Sequence, residues 1–148
     1  MWSLVEFLRL PNAKRQILVE AAICLSIARI AIMALPFPWI VPFLGQNMTV
    51  SLDTTEPEHS DLIKQVSWAV RTASRRLPGK ASCLARAIAA KRMLRRRGVQ
   101  STLYLGIGKD GDGKLRAHAW LRSGNVIASG ARGMVSFTVI STFANGRR

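Results

Sequence analysis

The sequence predicts an α+β domain with helices first, an antiparallel β-meander after, and an apolar helix ahead of both. Two observations carry this. Apolar residues recur at helical spacing up to Gly98, and beyond it the period changes to alternation. Gly-containing polar clusters, Lys109-Asp-Gly-Asp-Gly-Lys114 and Ser123-Gly-Asn125, separate the alternating runs as hairpin turns would. A chain of 148 residues can bury one sizeable core, and an apolar content of 49% excludes a disordered chain. The expected division is residues 1–60 as an apolar helical segment with a linker, and residues 61–148 as the α+β domain.

Ile17 to Leu35 is apolar enough to invite a membrane span, but Glu20 and Arg29 interrupt it, and each is costly in hydrocarbon. Pro36, Pro38 and Pro42 end the helix near Leu35. The segment reads as a helix packed on the domain or on a partner. The other reading is a helix lying at a membrane surface with Lys14 and Arg15 at the head groups. Gln46 to Ser60, polar with three acidic residues, reads as a linker.

A helix is expected from Asp61 to Arg76, capped by Ser60, with Leu62, Val66, Ala69, Val70, Ala73 and Leu77 as its apolar stripe. A second helix starts at the cap residue Ser82 and stops at Gly98, burying Leu84, Ala87, Ile88, Ala90 and Leu94. Strands follow at Thr102–Ile107, Leu115–Arg122, Val126–Ser129 and Met134–Phe143. In the second, Arg116, His118, Trp120 and Arg122 share one face.

Lys and Arg outnumber Asp and Glu by 22 to 8, a formal charge of +14, which points to an anionic partner: nucleic acid, an anionic membrane or an acidic peptide. Lys91-Arg-Met-Leu-Arg-Arg-Arg97 could serve any of them, although no aromatic residues interleave to stack bases. Cys24, Cys83, His59 and His118 are too dispersed for a zinc motif, so no metal is expected. Asp110-Gly-Asp-Gly113 lacks the further ligands of a calcium loop and reads as a turn. Nothing marks the chain as secreted, so a reducing cytoplasm is expected, with peripheral contact at the inner membrane as the alternative.

Cys83 falls in the first turn of its helix, where N–H groups and the helix dipole favour a thiolate and can bind an oxyanion. Lys80 and Arg86 add positive charge. A lone Cys is more often a small buried hydrophobe and a lone His more often structural. Yet a cysteine at a helix start followed by a histidine on a strand is the layout of papain-like and transglutaminase-like thiol enzymes. Trp120, beside that histidine, is either a cleft wall or a core residue.

Pro78-Gly-Lys-Ala-Ser-Cys-Leu-Ala-Arg-Ala87, Leu94-Arg-Arg-Arg-Gly-Val99 and Ala117-His-Ala-Trp-Leu121 together resemble the transglutaminase-like domain of lasso-peptide B proteins, in their stand-alone leader-peptidase form. The resemblance covers roughly residues 61–143. It implies a cysteine peptidase that removes the leader from a ribosomally made precursor, with Cys83 as nucleophile and His118 as general base and acid. It also implies three partners: the precursor's leader, a separate winged-helix recognition protein, and the lasso cyclase. No cofactor on this chain is implied, and any ATP dependence would come through the cyclase. Nucleic acid is not an expected partner.

The family's acid after the histidine has no counterpart, since no Asp or Glu follows Asp112. Hairpin geometry would bring Ser129 or Gly130 opposite His118. Ser129 is therefore the candidate third member, with Asn125 or a backbone carbonyl as the alternatives. Two other functions stay open: a basic nucleic-acid-binding module with structural Cys83 and His118, and a thioester-forming acyltransferase or transglutaminase.

Overall fold

The computed structural model describes residues 4–36, 38–40, 46–47, 57–77, 82–109, 112–123, 126–130 and 137–144. The described helices are α1 (Leu4–Leu8), α2 (Asn12–Ala34), α3 (Pro57–Arg76) and α4 (Cys83–Arg96). The strands are β1 (Gln46–Asn47), β2 (Thr102–Lys109), β3 (Leu115–Ser123), β4 (Val126–Ser129) and β5 (Thr138–Ala144). They form one antiparallel sheet in the order β1-β5-β2-β3-β4.

The α+β class and the apolar N-terminal helix are as the sequence predicts. The meander itself comprises β2, β3 and β4. The last strand then crosses to the far edge of β2, where Leu103 faces Phe143, instead of extending the sheet beyond β4. Of the expected linker, Gln46–Asn47 forms the edge strand against β5. Helix α3 begins at Pro57, one turn before the predicted start, so Ser60 lies within the helix and does not cap it. Proline's fixed φ suits the first helical position, where its missing N–H costs nothing.

Helix α4 is the centre of the molecule. Ala85, Ala87, Ala89, Ala90, Met93 and Leu94 are buried over more than half of its circumference, and the small alanines let neighbours approach from several sides. It ends in a Schellman motif: Gly98, at φ 72°, donates to the Arg95 carbonyl, and Val99 donates to that of Leu94. Ala119 and Leu121 of β3 join its core face.

The inner face of α2, with Leu18, Ala21, Leu25 and Ala28, belongs to the same apolar cluster as Ile63, Val66 and Leu103. The helix thus packs on the domain, the first of the two placements the sequence allows, and contributes to its core. Glu20 fastens it further, accepting from Arg96 Nη1 at 2.9 Å and Arg97 Nη2 at 2.6 Å. The Arg97 guanidinium holds the Glu20 carboxyl below its ordinary range against the opposing effect of burial.

Candidate active site

Ser82 caps α4 as predicted: its extended backbone turns the hydroxyl back to accept from the Ala85 amide at 3.1 Å. The Arg86 amide bonds the Ser82 carbonyl. Among the described residues, the amides of Cys83 and Leu84 have no hydrogen-bond partner, so this helix start keeps N–H groups available beside the Cys83 side chain.

Cys83 is half-buried, and its Sγ accepts from the Ala119 amide at 3.4 Å. The topology explains that approach. The last described pair of the β3–β4 ladder is Leu121 with Ser129. Beyond it the Ala119 amide faces the helix start, so an amide dipole meets the atom that would become the nucleophile. Arg86 stands one turn along α4, with its Nε buried and unpartnered among the described residues. Lys80 lies outside the described residues.

His118 is one residue from that contact. Its Nε2 lies 2.8 Å from the carbonyl oxygen of Gly130. A carbonyl only accepts, so Nε2 carries the hydrogen, and in the neutral ring Nδ1 is the basic nitrogen. The imidazole is held between Trp120 (centroids 5.8 Å apart) and Phe137 (5.0 Å). Trp120 in turn stacks on Tyr104 at 5.5 Å. Gly106 stands opposite His118 in the ladder. A Cβ there would come within 2.9 Å of the Trp120 ring, so glycine makes room for this aromatic support. Trp120 is both buried and in contact with the histidine, which joins the two readings the sequence left open.

Of the candidates for the third position, Ser129 stands across from Leu121, whereas the group that meets the imidazole is the carbonyl of the next residue. Asn125 lies outside the described residues. Gly130 is suited to this place in two ways. Its φ of 76° is one that side chains disfavour, and a Cβ would sit 2.5 Å from the Ala119 carbonyl oxygen. Sequence reasoning could name Gly130 only as a neighbour, because every residue has a carbonyl.

Cys83 Sγ and the His118 ring share no hydrogen bond; the backbone of Ala119 stands between them in the contact chain. Cys24 is remote from both. It is buried on α2, and burial, followed by the Glu20 charge, pushes its thiol up. Much of the basic run on α4 is engaged in holding the fold. Lys91 is buried with its Nζ donating to the Ser101 carbonyl at 2.8 Å, and Arg96 and Arg97 pair with Glu20. Burial, then repulsion from Arg95, pushes the Lys91 ammonium down to about 8.

A model of the transglutaminase-like superfamily matches residues 31–142, from the last turn of α2 through most of β5. The chain belongs to the transglutaminase-like superfamily. The match includes Cys83 and His118, and members of this superfamily are generally cysteine-based enzymes. No curated protein and no solved structure matches the chain. A transglutaminase-like domain is consistent with either cysteine-peptidase or acyl-transfer chemistry. Both begin with attack of a thiolate on a carbonyl.

Proposed function

We propose that the protein is a cysteine peptidase that removes the leader from a ribosomally synthesised lasso-peptide precursor. The single observation that carries the chemistry is the joint placement of Cys83 and His118: a capped helix start with its sulfur on the Ala119 amide, next to a histidine whose tautomer is set by Gly130. The motifs around both residues, which resemble lasso-peptide B proteins, support the substrate class.

In the proposed reaction, Nδ1 of His118 takes the Cys83 thiol proton and the thiolate attacks the scissile carbonyl. The Cys83 amide, and that of Leu84 beside it, can donate to the oxyanion. His118 then returns the proton to the departing amine, which leaves an acyl-thioester. Water, deprotonated by His118, cleaves the thioester and regenerates the thiol. The sulfur and imidazole must close on one another when substrate binds, as catalytic hydrogen bonds commonly tighten from the free enzyme.

In this reading the leader is delivered by a winged-helix recognition protein. The cyclase acts on the product, and any ATP is consumed there. The test is incubation of precursor and recognition protein with wild-type, Cys83→Ala and His118→Ala chains, read by mass spectrometry. Wild type should release the leader, and both variants should lose at least about a thousandfold in rate while keeping the native melting temperature. An amine-transfer product in place of hydrolysis would assign the acyltransferase alternative. Full activity in His118→Ala would remove His118 from the mechanism.

A further inference from the structure

We infer that the outer face of α2 docks the protein on an anionic lipid bilayer, parallel to the membrane surface. Val19, Ile23, Ile27, Ile30 and Met33 recur at spacings of four, four, three and three, and so line one side of the helix. All are exposed, Ile30 at 64% and Met33 at 85%, and α1 adds Leu4 and Leu8 at 72% and 55%. Trp39, five residues past the end of the helix, is 65% exposed and is the residue type that favours the membrane–water interface. An apolar face of this extent is uncommon on a protein that meets only water.

The helix is long and apolar enough to cross a membrane, with a mean hydropathy of 2.2 in its best window. Its opposite face settles the orientation. Leu18, Ala21, Leu25 and Ala28 are sealed in the core, and Glu20 is paired to α4. Surrounding α2 with lipid would dismantle that core, so the geometry left is an interfacial helix with one face in protein and the other in the acyl-chain boundary.

Charge selects the lipid. Residues 1–45 carry Arg9, Lys14, Arg15 and Arg29 against Glu6 and Glu20, within a chain of +14. Alongside the stripe, a groove of about 650 Å³ between α2 and α4 is lined by Val19, Ile23 and Ile27 on its apolar side and by Arg15, Arg92 and the Arg96–Glu20 ion pair on its polar side, a set that is net cationic. An apolar floor beside a guanidinium rim matches acyl chains beneath phosphate head groups, and a basic surface gains from the negative potential of an anionic leaflet.

Co-sedimentation of the full chain with vesicles of phosphatidylglycerol and phosphatidylethanolamine tests this, with phosphatidylcholine vesicles as comparison. Binding should be at least about tenfold stronger to the anionic vesicles and should weaken with salt. Ile23→Glu and Ile30→Glu should each weaken it at least about tenfold, since both remove an exposed apolar side chain from the docking face. Both should keep the native melting temperature. Leu115→Glu, exposed at the start of β3, should leave binding unchanged. Equal binding to both vesicle types, no binding, or unaltered binding by the two folded glutamate variants would overturn the inference. So would self-association or capture of a protein partner that depends on Ile23 while vesicles are ignored.

Discussion

Replacing Gly130 by alanine isolates what its carbonyl does for His118. The backbone at φ 76° disfavours a side chain by about 1–2 kcal/mol. The new Cβ would also meet the Ala119 oxygen at 2.5 Å and the Trp120 Cα at 3.0 Å, both backbone atoms that cannot rotate away. Moving the first contact from 2.5 Å to an ordinary 3.4 Å takes about 0.9 Å. Added to the 2.8 Å bond between Gly130 and His118, that displacement takes the pair beyond hydrogen-bond reach. The imidazole then loses the acceptor that fixes its tautomer. A shift near 1 Å at a catalytic group costs up to about a hundredfold in rate, so leader removal should fall about 10- to 100-fold. Stability should fall by about 1–3 kcal/mol. Nitrogen chemical shifts of His118 provide a readout independent of any substrate: the wild-type neutral ring should be the Nε2–H tautomer, and the variant a mixture. Ser129→Ala is the companion variant and should change neither tautomer nor rate, because Ser129 stands opposite Leu121. Unaltered tautomer and turnover in folded Gly130→Ala would refute the reasoning, and a tautomer change in Ser129→Ala would return the role to that hydroxyl.

Three further outcomes follow from the packing. Native-state alkylation near neutral pH should label Cys83 and spare buried Cys24, with both labelled after unfolding; peptide mass mapping that found Cys24 modified first would contradict the assigned burial. Lys91 titrates near 8 when folded and near its ordinary 10.5 when unfolded, so the unfolded chain binds the extra proton between those values and stability should rise with pH across that window. The full rise corresponds to roughly 3 kcal/mol, and denaturant titrations of Lys91→Met should lack it. Deleting residues 1–45 removes Leu18 and Leu25 from the core, each worth about 2–5 kcal/mol, and should abolish cooperative unfolding. A truncated chain with a sharp thermal transition would show that the rest of the core suffices.

Local chemistry makes part of the site legible in the sequence alone. Ser82 before an apolar periodic run specifies a cap, which places Cys83 in the first turn. Gly98 specifies the helix end through its left-handed backbone. Alternation around Ala117-His-Ala-Trp-Leu121 puts His118 and Trp120 on one face of a strand. These are properties of neighbouring residues, and short-range sterics and hydrogen bonding decide them whatever the rest of the chain does.

Tertiary structure decided the rest, because the relevant groups are far apart in sequence or carry no side-chain signature. β5 pairs with β2 although β4 precedes it, a choice between open sheet edges that its own residues do not encode. Lys91 and Arg97 look like part of a solvated basic face until Ser101 and Glu20 are brought against them. Helix α2 is apolar nearly all round, so its pattern cannot say which side enters the core; contact with α3 and α4 does. The partner of His118 is the main-chain oxygen of Gly130, where the chain leaves β4, and the missing Cβ of that same glycine permits the approach. Backbone carbonyls are present at every position, so only the folded path of the chain can select one for this role.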